Sequence, residues 1–531
     1  MSILWKSLKG IPKNLYIYLV LIGVHIAIVW SVPYWPTQDG PSHIYNLTIL
    51  KDLLNGGNEY GNTYDYELKI LPNLGFHVIA YPFLSIFSPV TTERIFLTLY
   101  IVFLSGSVCF FLRVFKQALY PYVYFQVPVI FNFPVMMGFY SFSIAIPLLL
   151  FALAVQWLVR HQRLLVRFFA SNILGVMLFC FHFIVFGLFL VLSAVTIGFA
   201  DRSVIAKKRI WQLLIVMLPC IIIMILYVLQ MSMFSSTLAW QSMFSHIPGP
   251  PVFAALFRLF LLKLDIFTFS MAYFGYLQLS VAILVSYLFC LCLYTGLRTH
   301  YASRANRMPE RSALFLCISM VFAIYIIAPF RIGEGSALYQ RFPVLIYLLA
   351  IPLLEIPHAK KLMKYFFSFL IAVICSYILV STVLFYQQNN KIVEFLAGQH
   401  VKIEKGSFLA AYRERDFTSD VRVDVLLSAV SYYAILNKSV NVGNYEAGTP
   451  FFPVRFKPHI RRPPLNQIEA EPATIDWLQY PSIRYLFGSD VKQSSRKELE
   501  KVFELIFEEG KTSIWRRYEN IPSHRNGSLY K

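Results

Sequence analysis

Long apolar runs recur along the whole chain, and they constrain its fold more than any other feature of the sequence. A helix that crosses the hydrocarbon core of a bilayer needs about 20 mostly apolar residues. Runs near that length occupy residues 15–33, 94–113, 118–136, 138–159, 167–183, 184–200, 210–231, 272–297, 311–330, 341–356 and 363–386. The sequence therefore predicts a polytopic α-helical membrane protein with about 11 transmembrane helices.

The charge content supports a membrane location and argues against a nucleic-acid partner. Charged residues make up 14% of the chain, whereas a soluble domain carries roughly 25%. The formal net charge of +19 has a simple explanation, because Lys and Arg accumulate in the cytoplasmic loops of membrane proteins. We therefore expect the membrane to be a partner, and no nucleic acid.

The apolar stretch 167–200 is too long for one ordinary span and contains no polar break. We interpret it as two short helices that turn near His182 and Phe183. Counting it as a single span would reverse the orientation of every segment on one side of it, against the distribution of basic residues.

Basic residues divide the predicted connections into two sets. The richer set contains Lys6, Lys9, Lys13, Arg113, Lys116, Arg160, Arg163, Arg167, Arg202, Lys207, Lys208, Arg209, Arg298, Arg304, Arg307, Arg311, Lys360, Lys361 and Lys364. The poorer set contains Lys51, Lys69, Arg94, Arg258, Lys263, Arg331 and Arg341. The positive-inside rule makes the richer set cytoplasmic. We expect a cytoplasmic N-terminus, an extracytoplasmic C-terminus and location in a bacterial inner or plasma membrane.

Two domains are predicted. Residues 1–386 form a transmembrane domain that includes a first outer loop, 34–93, and residues 387–531 form a small extracytoplasmic α/β domain. In this tail, VDVLLSAVSYYAILN and SSRKELEKVFELIFEEG have helical patterns, while GSFLAAY, SIRYLFGS and TSIWRR resemble strands.

The first outer loop begins with WPTQDGPSHIYNLTILKDLLNG, directly after the first apolar run. Gly40–Pro41 makes a turn, and the next residues have the apolar spacing of an amphipathic helix. Two roles for Asp39 stay open. It caps this helix, with His43 at the membrane interface, or Asp39 and His43 line a cleft in which the carboxylate accepts a proton from a substrate.

Further along the loop, LPNLGFHVIAYPFLSIF is apolar but too short and broken to span, so we predict a membrane-parallel or partly embedded helix pair. Asp65 and Glu67 form an acid-x-acid pair. Such a pair is either a weak candidate for binding a divalent metal ion or a solvated loop edge. No cofactor is certain, and a divalent metal stays open.

These parts together resemble the GT-C glycosyltransferases. The matching features are Asp39 in TQDGPSH behind the first helix, the segment PNLGFHVIAYPFLSIFSPVTTERIF before the second span, and an extracytoplasmic tail after about eleven spans. The resemblance implies transfer of a sugar from a polyprenyl-phosphate carrier on the outer face, with the loop Asp as catalytic base or metal ligand. Many members carry an acidic pair at this place, where this chain has Asp39–Gly40.

Other polar residues fall on the predicted outer side. The loop PFRIGEGSALYQRF supplies Arg331, Glu334 and Arg341 as candidate substrate-binding residues. The two arginines either bind a carrier phosphate or are interfacial. Candidate cavity-lining residues are His77, Asn132, Tyr140 and His182. A packed, hydrogen-bonded histidine explains His182 equally well.

The leading hypothesis is an inverting membrane glycosyltransferase of the GT-C type, acting on a polyprenyl-phosphate-linked sugar and a lipid, glycan or protein acceptor. Asp39 would be the base, His43 would orient the acceptor or the base, and an Arg would hold the leaving phosphate. The alternatives are a flippase or transporter of lipid-linked glycans, a polymerase or ligase of such glycans, and a non-catalytic scaffold. Uncharged spans argue against ion-coupled transport.

Overall fold

The protein is mostly helical. The structure, a computed structural model, describes residues 13–67, 71–198, 206–234, 266–268, 270–271, 274–302, 309–328, 330, 336–356, 360–414 and 422–519. Its α-helices of ten residues or more are Lys13–Ser31, Gly40–Leu54, Gly75–Leu84, Pro89–Phe115, Tyr140–Val159, Leu164–Phe181, Phe183–Gly198, Ala206–Phe234, Tyr276–Ala302, Pro309–Ile327 and Lys360–Phe395. Shorter α-helices are Phe133–Met136, Phe342–Ala350, Val430–Asn437, Leu465–Ala470 and Gln493–Leu499.

Among the described residues, 7 helices are long and apolar enough to cross a membrane. They lie in Pro89–Phe115, Tyr140–Val159, Leu164–Phe181, Trp211–Gln230, Tyr276–His300, Pro309–Ile327 and Lys361–His400. The other predicted spans coincide with shorter apolar helical segments, at Leu15–Ser31, Tyr122–Met136, Phe183–Gly198 and Tyr339–Leu353. The chain is therefore a polytopic helical membrane protein.

The long apolar stretch 167–200 is divided into two helices, as predicted. The first ends at Phe181 and the second begins at Phe183. His182 between them has extended backbone angles, with φ of −163° and ψ of 122°. One non-helical residue therefore separates the two helices within an uninterrupted apolar sequence.

The predicted span 118–136 is not a continuous α-helix. It contains a 3-10 helix, Tyr122–Val129, and the short α-helix Phe133–Met136. Pro121 precedes the 3-10 helix, Pro128 lies within it, and Pro134 lies in the first turn of the α-helix. Proline lacks an amide hydrogen and removes a helical hydrogen bond, so prolines this closely spaced disfavour a continuous α-helix, which the apolar pattern alone does not reveal.

The loop segment that was predicted as a helix pair forms one helix, Gly75–Leu84, with Pro82 inside it. Residues 85–88 form a turn, and the long helix begins after them at Pro89. Ten residues rise about 15 Å as an α-helix, so this helix is too short to cross a bilayer.

In the part of the chain that the structure describes, seven strands form two sheets. They are β1 (Tyr64–Tyr66), β2 (Phe408–Arg413), β3 (Val440–Asn441), β4 (Val454–Phe456), β5 (Ile483–Ser489), β6 (Phe503–Glu509) and β7 (Thr512–Arg517). β1 pairs with β4, and the larger sheet has the order β3-β2-β5-β7-β6. β2 is parallel to β3 and β5, whereas β7 is antiparallel to both of its neighbours.

The sequence pattern predicts one helix over residues 494–510, but the second half of this segment forms strand β6. The helix ends at Leu499. In β6, Phe503 is fully buried, and Glu504 lies opposite Arg516 of β7, 2.9 Å from its guanidinium. Cross-strand pairing and burial of this kind outweigh the helical preference of a short Glu-rich segment.

Residue contacts divide the chain into two compact units. The first unit comprises Met1–Ser31, Pro72–Phe76 and Leu97–Thr382, and the second comprises Val32–Leu71, His77–Phe96 and Val383–Lys531. The predicted domain boundary at 386/387 lies near the limit at Thr382. The first outer loop, however, belongs mostly to the same unit as the C-terminal region.

The second unit is built around the larger sheet. Trp477, Leu486, Phe503 and Trp515 are buried in its core. The helix Gly40–Leu54, called the loop helix below, packs in the same unit through Tyr45, whose hydroxyl donates to the Ser439 carbonyl over 2.8 Å. The loop helix is therefore fixed by contacts with the C-terminal part of the chain.

Candidate active site

Asp39 occupies the position before the first turn of the loop helix, but its side chain makes no capping hydrogen bond there. The residue is 7% exposed, and its carboxylate accepts a long hydrogen bond of 3.5 Å from Gln38 Nε2. Burial raises the pKa of Asp39 from 3.8 to about 7, with His43 lowering and Glu469 raising it to a smaller extent. A carboxyl group in this state exchanges a proton near neutral pH.

His43 lies one helical turn after Asp39 and forms a close pair with a carboxylate of the C-terminal region. Its Nδ1 is 2.9 Å from Oε1 of Glu446. Both residues are buried, with Glu446 at 0% exposure. The pair places an imidazole, in contact with a buried carboxylate, in the electrostatic environment of Asp39.

Gln38 connects Asp39 to an ion pair at the C-terminal end of strand β2. Its Oε1 accepts a hydrogen bond of 3.2 Å from the Asp424 amide. The Asp424 carboxylate in turn accepts two hydrogen bonds of 2.7 Å from Arg413 Nη2. Contacts that orient Gln38 also limit the positions open to the Asp39 carboxylate.

An aromatic ring lies between the two predicted histidines of the first loop. Phe452 has ring-centroid distances of 6.0 Å to His43 and 6.5 Å to His77. His77 is buried, at 3% exposure. The second unit therefore brings Asp39, His43 and His77 together with Glu446 and Phe452.

In the first unit, Arg341 and His182 form a separate cluster. Arg341 Nη1 lies 3.1 Å from His182 Nε2, and Nη2 donates to the Ser336 carbonyl over 3.2 Å. The guanidinium lies 4.0 Å from the Phe139 ring centroid. Because a guanidinium only donates hydrogen bonds, its contact with Nε2 requires that nitrogen to be unprotonated.

Asn132 and Tyr140, two further predicted lining residues, have contacts typical of packing. Asn132 caps the helix Phe133–Met136 by accepting from the Val135 amide, and it donates to Tyr100 Oη over 2.9 Å. Tyr140 is fully buried, and its ring packs in a tilted arrangement against Phe76 at a centroid distance of 5.2 Å.

Two predicted substrate-binding residues, Arg331 and Glu334, lie outside the described residues. The metal candidates Asp65 and Glu67 face basic side chains of the paired strand region. Asp65 is 3.8 Å from Lys457, and Glu67 is 2.8 Å from Arg455. Within the described ranges, no group of three or more His, Cys, Asp or Glu side chains is arranged to hold a metal ion.

Comparisons with known proteins give a structural relative but no sequence relative. No protein-family model and no curated protein sequence match the chain. Apo ArnT from Cupriavidus metallidurans aligns with a TM-score of 0.51 and 9% identity, covering 95% of this chain and 98% of ArnT. The chain has a GT-C fold. ArnT bound to undecaprenyl phosphate has the same coverage, with a TM-score of 0.49 and 10% identity.

Two acidic residues that raise the pKa of Asp39, Glu446 and Glu469, were not predicted from the sequence. Both lie about 400 residues after Asp39, yet both act on its pKa. Glu446 lies in VNVGNYEAGTPFF, a glycine-containing turn in a chain with only 28 acidic residues. That turn is a recognisable candidate for a binding loop, but nothing in a single sequence pairs it with His43.

Proposed function

We propose that this protein is a membrane glycosyltransferase that moves a sugar from a polyprenyl-phosphate carrier to an acceptor hydroxyl or amine on the outer face of the membrane. One observation carries the proposal. Asp39 is a buried carboxyl group whose pKa is about 7, and it belongs to a chain with a GT-C fold. General bases are most effective when their pKa lies near the working pH.

In this reaction, Asp39 takes the proton from the acceptor as its oxygen or nitrogen forms a bond to the anomeric carbon. The bond between that carbon and the carrier phosphate oxygen breaks, and the bonding electrons leave with the phosphate. Attack opposite the leaving group inverts the anomeric centre. His43 orients the acceptor, and the buried surroundings strengthen its electrostatic interaction with Asp39.

We further propose that Arg341 binds the carrier phosphate, with His182 fixing the guanidinium. Arginine presents several donors in a planar fork that matches phosphate oxygens. Contacts with His182, Phe139 and the Ser336 carbonyl limit the rotation of the Arg341 side chain. A positively charged group that is already oriented stabilises a leaving phosphate without reorganisation.

The proposed topology has eleven membrane crossings, a cytoplasmic N-terminus, and an extracytoplasmic first loop and C-terminal domain. It rests on the basic-residue pattern, which assigns the connections richest in Lys and Arg to the cytoplasm. In this arrangement Asp39 acts outside the cell or in the periplasm.

The test uses purified protein in lipid nanodiscs and a panel of polyprenyl-phosphate sugars, with release or transfer of the sugar as readout. We expect the wild type to process at least one donor, and Asp39→Asn to lose about 100-fold or more in kcat, as base removal commonly does. Glu59→Gln is the matched control. It removes another first-loop carboxylate, in a surface ion pair with Lys405, and should stay within about twofold.

Full activity of Asp39→Asn would exclude Asp39 as the base. If no donor is processed although Arg341-dependent binding of polyprenyl phosphate is measured, a carrier-lipid transporter becomes the better account.

A further inference from the structure

The segment 439–446 of the C-terminal region contacts one face of the loop helix through a series of side-chain hydrogen bonds. Tyr45 bonds to the Ser439 carbonyl at 2.8 Å. Asn46 and Asn444 exchange two side-chain hydrogen bonds, of 2.8 and 2.9 Å. All of these side chains are buried, so the position of the loop helix against this segment is well defined.

His43 and Glu446 extend the same face toward Asp39. Glu446 has no exposed surface, and its Oε1 lies 2.9 Å from His43 Nδ1. A buried carboxylate without a partner costs several kcal/mol, and the His43 ring supplies the partner. Nδ1 is the ring nitrogen in contact with the carboxylate, so Glu446 favours a proton on that nitrogen.

We propose that Glu446 is a positioning residue that fixes the His43 ring through Nδ1 and leaves Nε2 as the atom that meets the acceptor. This inference rests on the function proposed above. Carboxylates that orient a histidine in this way hold the correct tautomer, and their removal lowers rates strongly while leaving the substrate-binding groups in place. The C-terminal region then contributes a side chain to the chemistry of the first loop.

A merely structural role for Glu446 makes a different prediction. A side chain that only joins the loop helix to the C-terminal segment would act regardless of the identity of residue 43. A positioning residue acts through His43, so its effect should vanish once the imidazole is removed.

The experiment measures kcat and KM for Glu446→Gln alone and in a His43→Gln background. We expect Glu446→Gln to lower kcat by about 10- to 100-fold with donor KM within about twofold, by analogy with other His-orienting residues. In the His43→Gln background it should cause no further loss. An equal loss in both backgrounds, or no loss in the single variant, would overturn the proposal.

Two further variants separate positioning from folding. Glu59→Gln, in the surface ion pair with Lys405, removes a carboxylate that also joins the first loop to the C-terminal region, and should retain activity. Glu446→Asp keeps the charge and should restore part of kcat if Glu446→Gln folds poorly. Losses of the same size in Glu59→Gln would indicate that any contact between the two segments suffices, against the proposal.

A spectroscopic readout keeps this inference distinct from the proposed function. In protein with 15N-labelled histidine, the His43 signals, assigned with His43→Gln, should show a protonated Nδ1 at pH 8.5. In Glu446→Gln they should show a mixture of tautomers. An unchanged tautomer would overturn the pairing. A wild type that transfers no sugar but shows the expected tautomer would refute the glycosyltransferase and leave the pair standing.

Discussion

At the residue scale, Asp39 differs from an ordinary helix cap. A cap contributes about 1 kcal/mol through a side-chain hydrogen bond to the first turn, and Asp39 makes none in the described helix. It is buried instead, with its pKa raised to about 7 by loss of solvent. Such a carboxylate destabilises the fold, which is a common property of functional residues.

Replacing Asp39 by Asn should stabilise the protein at alkaline pH. Between pH 3.8 and about 7 the folded state keeps a proton that the unfolded state has lost. Stability therefore falls as pH rises through that window, by on the order of 4 kcal/mol. Apparent melting temperatures of both proteins in detergent should diverge from pH 5 to pH 8, with Asp39→Asn higher. A lower melting temperature for the variant at pH 8 would contradict the raised pKa.

Arg341→Lys should raise KM for the lipid donor by about tenfold, because lysine keeps the charge but loses the planar fork of donors. Its contact with His182 at 3.1 Å would also be lost. The measurement is the dependence of the transfer rate on donor concentration. Arg484→Lys, on a surface ion pair with Glu519, is the control. Equal donor KM values for all three proteins would exclude Arg341 as a phosphate ligand.

At the scale of elements, helices were more predictable from the sequence than their interruptions. The apolar runs located the long helices, and the break at His182 followed from length alone. The region 118–136 was predicted as one continuous helix but is divided, with prolines at 121, 128 and 134 disfavouring a regular α-helix. Strand β6 was missed because pairing with β7 determines its structure. Such pairing depends on residues distant in sequence.

Gly296→Ala should destabilise the first unit. A Cβ at this position would lie 1.9 Å from the Leu353 carbonyl oxygen, a backbone atom that cannot move aside alone. Overpacking of this kind typically costs 1–3 kcal/mol, so the apparent melting temperature should fall. Gly106→Ala is the control, because open space surrounds that position. Equal melting temperatures for both variants would show that the backbone at Gly296 has room for a Cβ beside Leu353, against the expected clash.

The candidate site was only partly predictable, because some of its residues are distant from one another in the sequence. Asp39 and His43 are four residues apart on one helix turn, so their proximity follows from local sequence. Glu446 joins them only through tertiary structure, at 2.9 Å from His43. Long-range partners of this type require an alignment or a structure, since one sequence contains no signal that connects them.

At the scale of the whole molecule, the predicted GT-C fold is confirmed by the alignment with apo ArnT over 95% of this chain. That similarity persists at 9% identity. The fold therefore depends on the succession of apolar helices and loops rather than on particular residues. Function does not follow from fold alone, which is why the chemistry of Asp39 has to be tested directly.

The membrane orientation is a prediction at this scale. Alkaline phosphatase, which is active only after export, should be active when fused to the C-terminus, and a green fluorescent protein fusion at the same place should be dark. The expected result follows from the positive-inside rule, which assigns the connections rich in Lys and Arg to the cytoplasm and the C-terminus to the other side. A fluorescent C-terminal fusion with an inactive phosphatase would reverse the topology and place Asp39 on the wrong side for the proposed reaction.

The most direct test of the central claim is the pH dependence of kcat/KM for sugar transfer. The base must be ionised, and Asp39 has a pKa of about 7. His43, Glu446, Glu469 and Gln38 act on that value. The account predicts a rate that increases about tenfold per pH unit below the midpoint and levels off above a midpoint near pH 7, with this dependence absent in Asp39→Asn. A rate that is flat from pH 5 to pH 8.5, or an unchanged profile in Asp39→Asn, would contradict it.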